Sequence, residues 1–125
     1  MKASGPMLET KFQALGHVII CQGCCCGQVK DGNPEVPLTY LRKEWIKHRL
    51  FRWFHLSISE CLGPCDLPNV ISITTNNQNW YFGKLQVHDY HLLVSWLVSC
   101  KKTGQLKPLP SSLMELSMKR FRSLD

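Results

Sequence analysis

The sequence predicts an α/β protein in which a β-α-β unit is followed by a β-β-α unit. Short apolar runs rich in β-branched residues, such as residues 14–21 and 70–75, have the length and composition of buried strands. Two longer segments, residues 36–50 and 88–101, repeat apolar side chains at the spacing of one helix face. Cysteine pairs directly follow two of the predicted strands, which predicts a common site at the strand ends.

The first unit contains two strands and the helix between them. Residues 14–21 (ALGHVIIC) and 51–59 (FRWFHLSIS) are the predicted strands, and residues 36–50 are the predicted helix. A loop at residues 22–35 is rich in Gly, Asn and Asp. The apolar face of the helix is predicted to comprise Leu38, Leu41, Trp45 and Ile46. A β-α-β order implies parallel strands joined by a right-handed crossover.

The second unit is a hairpin followed by a helix. After a loop at residues 60–69, residues 70–75 and 79–85 are predicted strands that turn around Asn76-Asn77-Gln78. Residues 88–101 are the predicted helix, and its inward side chains are predicted to be Leu92, Leu93, Trp96 and Leu97.

Together the two units describe a thioredoxin-like α/β sandwich. This domain is predicted to cover residues 14–104, after a flexible arm at residues 1–13. Residues 105–125 are predicted to form a linker and a short basic helix, the helix lying within residues 111–122. The length of 125 residues suits one domain, which buries roughly 65% of the surface that its unfolded chain exposes.

The composition indicates the cellular compartment in which the protein is expected. With 44% hydrophobic and 19% charged residues the chain is ordinary for a globular protein, and no apolar run approaches the roughly 20 residues that span a membrane. The first residues contain no apolar signal segment. We therefore expect a cytoplasmic protein. The chain has seven cysteines. In the reducing cytoplasm, clustered cysteines more often bind metal or do redox chemistry than form disulfides.

Four cysteines form two pairs, each placed just after a predicted strand. Cys21 and Cys26 give the spacing C-x4-C, and after 34 intervening residues Cys61 and Cys65 give C-x3-C. Because parallel strands end at the same edge of a sheet, their loops can bring four thiolates together. Converging thiolates indicate a metal or iron–sulfur site.

The second loop is better defined than the first. Gly63 permits a tight backbone turn and Pro64 stiffens it, so CLGPC holds its two sulfurs on one side. The first loop offers three partners for Cys21, and spacing alone does not choose among Cys24, Cys25 and Cys26.

The cysteine spacing resembles the ligand pattern of thioredoxin-like 2Fe–2S ferredoxins, including the small flavoprotein-associated subunit of respiratory complex I. The segment CLGPCDLPN resembles the second motif of that family, C-L-G-x-C-x-x-x-P, with its proline one position earlier, and the match covers about residues 14–100. The resemblance implies a 2Fe–2S cluster bound by Cys21, Cys26, Cys61 and Cys65. It implies an electron carrier without catalytic residues, at a potential on the order of −400 mV as in plant-type ferredoxins.

A fuller set of strings, CQGCCCG, PEVP and CLGPCDLPNV, is similar to small ferredoxin-like proteins encoded with bacterial cobalamin-biosynthesis enzymes. That resemblance implies an accessory redox role in corrin-ring synthesis or cobalt insertion, without the chelatase reaction itself. It also implies a redox partner protein, and related ferredoxins often form homodimers.

Two other functions compete with the ferredoxin interpretation. A zinc-binding interaction module would use Cys21 and Cys24 as one half-site and Cys61 and Cys65 as the other. Four Trp and five Phe can build a core without metal, which favours the ferredoxin. A thiol–disulfide oxidoreductase would use Cys21 and Cys24, but its motif should open a helix at once, and Gly27 and GNPEVP follow instead.

The remaining charged and metal-ligating residues predict no second site. The net charge is +6, and an oxidised cluster with four thiolates would lower it to about +4, so we expect no nucleic-acid partner and no membrane partner. Cys100 is predicted to be an ordinary helix-face residue. Ordinary surface or core roles are also predicted for the five scattered histidines, His17, His48, His55, His88 and His91.

Overall fold

A computed structural model of the protein describes residues 7–23, 25–64 and 66–124 and shows a five-stranded sheet with helices. The elements in chain order are β1 Gly16–Cys21, α1 Leu38–Lys47, β2 Phe54–Ser59, β3 Ile71–Thr74, β4 Asn79–Phe82, α2 Val87–Thr103, α3 Ser111–Met114 and β5 Ser117–Met118. The predicted β-α-β and β-β-α units are therefore both present.

The sheet has the strand order β2-β1-β3-β4-β5. β1 and β2 are parallel, whereas β3, β4 and β5 each pair antiparallel with the preceding neighbour in the sheet. Gly16 pairs with Phe54 and Cys21 with Ser59, so β1 and β2 run side by side over their full length and end together. The two cysteine loops consequently leave the sheet at one edge, as the sequence predicts.

Only one face of the sheet is apolar, because side chains alternate between faces along each strand. Its buried members are Val18, Ile20, Phe54, Ile71, Ile73 and Phe82. The helices α1 and α2 contact each other and share a single core with this face through Leu41, Trp45, Leu93 and Leu97. The other face is mainly polar and includes His17, Ser57, Ser72, Thr74 and Asn79.

The two long helices are anchored by indole hydrogen bonds as well as by apolar packing. Trp45 in α1 is fully buried and donates from Nε1 to the carbonyl of Phe54 at 3.0 Å. Trp96 in α2 donates from Nε1 to the carbonyl of Lys107 at 3.0 Å. The predicted apolar face of α1 is wrong at Ile46, which is 69% exposed. In the described part of the chain, no helix has both the length and the apolar character needed to cross a membrane.

The C-terminal segment differs from its prediction. The predicted basic helix at residues 111–122 is confirmed only over Ser111–Met114, after which the chain forms β5. Leu113 is fully buried, and the carbonyl of Leu116 accepts a hydrogen bond from Gly83 N–H at 3.0 Å. Because the open edge of β4 offers backbone partners at this point, pairing with the sheet replaces further helix.

At the other end, the predicted arm is described only from residue 7, and residues 1–6 lie outside the described part of the chain. Residues 7–13 form no helix or strand and are exposed. Phe12 meets His55 on β2 edge to face, with ring centroids 5.8 Å apart.

Candidate metal centre

The two cysteine loops pack directly against each other beyond the ends of β1 and β2. Gln22 N–H donates to the carbonyl of Ser59 at 2.8 Å, which extends the parallel ladder by one residue. One residue further, Gly23 lies so close to Glu60 that an added Cβ would stand 1.3 Å from the Glu60 carbonyl oxygen. A glycine is therefore required where the loops meet, and this contact sets the distance between the two cysteine segments.

A single pocket lies between these loops. It is lined by the cysteines Cys21, Cys25, Cys26 and Cys61 and by Glu60, Leu62, Gly63, Pro64 and Val70. Three of the four ligands implied by the resemblance thus face one space. The fourth, Cys65, lies outside the described residues, as does Cys24. The pocket holds both Cys25 and Cys26, so the choice within the cysteine triplet stays a prediction.

The pocket has a buried side and an open side. Cys21 and Cys26 are 4% and 2% exposed, whereas Cys61 is exposed. Backbone amides point at the sulfurs: Val70 N–H donates to Cys26 Sγ and Gly63 N–H donates to Cys61 Sγ, each at 3.3 Å. Such donors favour the charged thiolate, which is the form that binds metal.

The buried thiols of Cys21 and Cys26 are hydrogen-bonded to each other. A hydrogen bond with Cys26 lowers the pKa of the Cys21 thiol to about 7, opposed by burial and assisted by a backbone hydrogen bond from Leu62. The same hydrogen bond, together with burial, raises the pKa of Cys26. This hydrogen bond and burial therefore keep the Cys26 thiol protonated at neutral pH, and a metal bound to Cys26 must displace that proton.

Side-chain amides hold the first cysteine loop in place. Asn69 is fully buried, accepts from Gly27 N–H at 2.7 Å and donates from Nδ2 to the carbonyl of Pro34 at 2.8 Å. Asn33 donates to the carbonyl of Cys25 at 2.8 Å, and Gln28 donates to the carbonyl of Gly23 at 2.7 Å. The loop conformation is thus fixed by the protein itself.

Tyr90 of α2 lies near the two buried cysteines. The residue is fully buried, and burial raises the pKa of its phenol, with the nearby thiols of Cys26 and Cys21 adding to the effect.

The second cysteine loop contacts the C-terminal segment. Arg120 donates from Nη2 to the carbonyl of Leu62 at 2.7 Å. Its guanidinium carbon lies 5.4 Å from the ring centroid of Tyr81 and 4.4 Å from that of Phe121. Sequence reasoning missed both Arg120 and Asn69. Arg120 was assigned only to the predicted basic helix, and no pattern in the sequence distinguished Asn69 from the other residues of its loop.

Among the described residues, the pocket lining contains neither Cys100 nor any of the five histidines. His17 contacts Ser57 at 2.7 Å, and burial, with a smaller effect of His55, lowers the pKa of His17. Cys100 is buried on α2 and accepts from Lys107 N–H at 3.4 Å. Across residues 7–23, 25–64 and 66–124, no three His, Cys, Asp or Glu side chains, the pocket cysteines included, are grouped closely enough to hold one metal ion.

Comparison with solved structures shows the fold. A thioredoxin-like 2Fe–2S ferredoxin from Aquifex aeolicus is 15% identical, with a TM-score of 0.50 over 89% of this chain and 96% of that one. Another structure of the wild-type ferredoxin is 13% identical, with a TM-score of 0.45 over 86% of this chain and 99% of that one. No family model and no curated protein matches the chain. The predicted thioredoxin-like α/β fold is confirmed, in the form found in these ferredoxins.

Proposed function

We propose that the protein binds a 2Fe–2S cluster in the pocket between its cysteine loops and acts as a one-electron carrier. The observation that carries the proposal is the placement of Cys21, Cys26 and Cys61 around one pocket at the joint end of two parallel strands. A fold shared with a 2Fe–2S ferredoxin supports it. The expectation of a role beside cobalamin synthesis stays a prediction.

The donor chemistry of the pocket fits the cluster. Thiolates are the ligands of 2Fe–2S clusters, and Cys65 would supply the fourth one from the loop that also carries Cys61 and Pro64. Val70 and Gly63 direct N–H groups at the sulfurs of Cys26 and Cys61, and hydrogen bonds to sulfur are among the factors that set a cluster's potential. When bound, the cluster would accept and release one electron, and the chain would position it.

Electron transfer requires a partner to approach the cluster closely. The exposed position of Cys61 makes the side of the second loop the proposed point of approach. We propose a redox partner protein in the cytoplasm, and a homodimer as the oligomeric form. β2 and β5 are the two edge strands of the sheet, and the longer one, β2, is the strand that we propose a second copy contacts.

The direct test is purification and reconstitution without oxygen. We expect a brown protein with visible charge-transfer absorption and about two irons per chain. A colourless protein with one zinc would instead establish the zinc module. A metal-free protein with a titratable dithiol would establish the oxidoreductase.

Serine substitutions identify the ligand from the first loop. We expect Cys26→Ser to abolish the native spectrum and Cys24→Ser and Cys25→Ser to retain it. Cys100→Ser is the matched control, because Cys100 is as buried as Cys26 but lies on α2. Loss of the spectrum in Cys25→Ser with retention in Cys26→Ser would contradict the assignment.

A further inference from the structure

One peptide group connects the C-terminal segment with the metal centre. The carbonyl of Leu62 accepts the hydrogen bond from Arg120 Nη2 at 2.7 Å. The N–H of Gly63 donates to Cys61 Sγ at 3.3 Å. Since the Leu62 carbonyl and the Gly63 N–H belong to the same peptide unit, the guanidinium and the sulfur lie at its two ends.

A hydrogen bond at one end of a peptide group strengthens the bond at the other. Resonance links the carbonyl and the N–H, so a donor on the oxygen draws electrons from the nitrogen and makes its proton a better donor. The effect is largest when the donor is charged, and an arginine remains charged at every physiological pH. Arg120 therefore acts on the sulfur of Cys61 without touching it.

The second loop is shaped to receive this guanidinium. Gly63 has φ +114, a conformation that side chains disfavour, and an added Cβ would stand 2.0 Å from Arg120 Nη2. The guanidinium lies over the ring of Tyr81 on β4 and over the ring of Phe121. The Nε atom of Arg120 is buried and has no hydrogen-bond partner in the part of the chain that the structure describes. The contacts with the two aromatic rings hold the charged guanidinium at the loop.

We propose that Arg120 is a positioning residue of the metal centre, strengthening the hydrogen bond from Gly63 to Cys61 and raising the reduction potential of the cluster. The inference rests on the proposed function. Reduction adds negative charge to the cluster and its thiolates, so a stronger donor and a nearby positive charge both stabilise the reduced form. Removing the guanidinium should lower the potential.

The test compares two arginines in the same segment. Arg120→Gln removes the charge at the loop, and Arg122→Gln removes one charge from an exposed residue two positions away. In redox titrations of the reconstituted proteins, we expect Arg120→Gln to lower the ratio of reduced to oxidised cluster at a fixed potential by about tenfold, equivalent to about 59 mV for one electron. Arg122→Gln should change it by less than about twofold. Equal shifts in the two variants would overturn the proposal.

A second readout needs no cluster. In the metal-free protein, we expect the amide-proton resonance of Gly63 to move upfield in Arg120→Gln, stay in place in Arg122→Gln and move less in Arg120→Lys, which retains the charge. An unchanged Gly63 resonance in Arg120→Gln would overturn the proposal. If the wild-type protein takes up no cluster, the proposed function fails, whereas the Gly63 resonance still reports on the peptide link.

Discussion

At the scale of single residues, Asn69 holds the first cysteine loop at two points. Its side chain makes two hydrogen bonds to backbone groups of that loop, and it is completely shielded from water. Asn69→Ala leaves Gly27 N–H and the Pro34 carbonyl without their partner. An orphaned, fully buried group costs about 1–3 kcal/mol, and these two groups are only partly buried, so we expect the free energy of unfolding to fall by about 2–4 kcal/mol in urea denaturation.

Asn76→Ala is the control for this change. Asn76 is exposed in the β3–β4 turn, and its replacement should alter stability by less than about 0.5 kcal/mol. Similar losses in both variants would show that Asn69 does not hold the loop.

A pair of glycines separates backbone strain from the contact with Arg120. Gly63 and Gly32 both have positive φ, +114 and +85, but a Cβ on Gly32 would meet open space. Gly32→Ala should therefore cost only about 1 kcal/mol of stability, the ordinary penalty for this backbone region. Gly63→Ala must also displace the guanidinium, so we expect a larger loss in the same urea measurement. Part of the excess should disappear in the double variant with Arg120→Gln, and a purely additive result would contradict the contact.

At the scale of elements, the segment after α2 is part of the fold. Leu113 on α3 is fully buried in the core, whereas the adjacent Met114 is 40% exposed. We expect Leu113→Ala to lower the free energy of unfolding by about 2–4 kcal/mol, as is usual for a large side chain removed from a core. Met114→Ala should cost less than about 1 kcal/mol. Comparable small effects at both positions in thermal and urea unfolding would mean that α3 does not pack as described.

The elements that the sequence predicted well are those whose pattern is local. The β-branched run ending at Cys21 and the helix around Leu93 and Leu97 carry their periodicity within one segment, and both are confirmed. The strand predicted to begin at residue 51 begins at Phe54, because a turn at Leu50–Arg52 precedes it. The sequence analysis missed β5 because this strand forms by pairing with the open edge of β4. That pairing leaves no pattern in the residues of β5 itself.

The candidate metal centre was also predicted only in part. The positions of the cysteines just after two predicted strands indicated a common site. The structure brings Cys21, Cys26 and Cys61 to one pocket. Asn69 and Arg120 contact loops that are distant from them in sequence, with 42 positions separating Gly27 from Asn69 and 58 separating Leu62 from Arg120. Contacts of that range depend on the assembled sheet, and the sequence alone contains no signal for them.

At the scale of the whole molecule, the core is complete without a bound metal. The fully buried side chains Trp45, Phe54, Phe82, Leu93 and Leu97 join the sheet and both long helices. We therefore expect the metal-free chain to keep its helical far-UV circular dichroism and a cooperative thermal transition. Small zinc modules behave differently, because their folding energy comes from the metal. Loss of the cooperative transition on metal removal would show that the site organises the fold.

The strand order has a consequence for the order of events during synthesis. The interior strand β1 precedes the other strands in the chain, and β2 and then β3 add to its two sides without having to insert between paired strands. A chain emerging from the ribosome thus presents both cysteine loops well before it contains Arg120. The contact between Arg120 and the second loop can therefore form only after both cysteine loops have been synthesised.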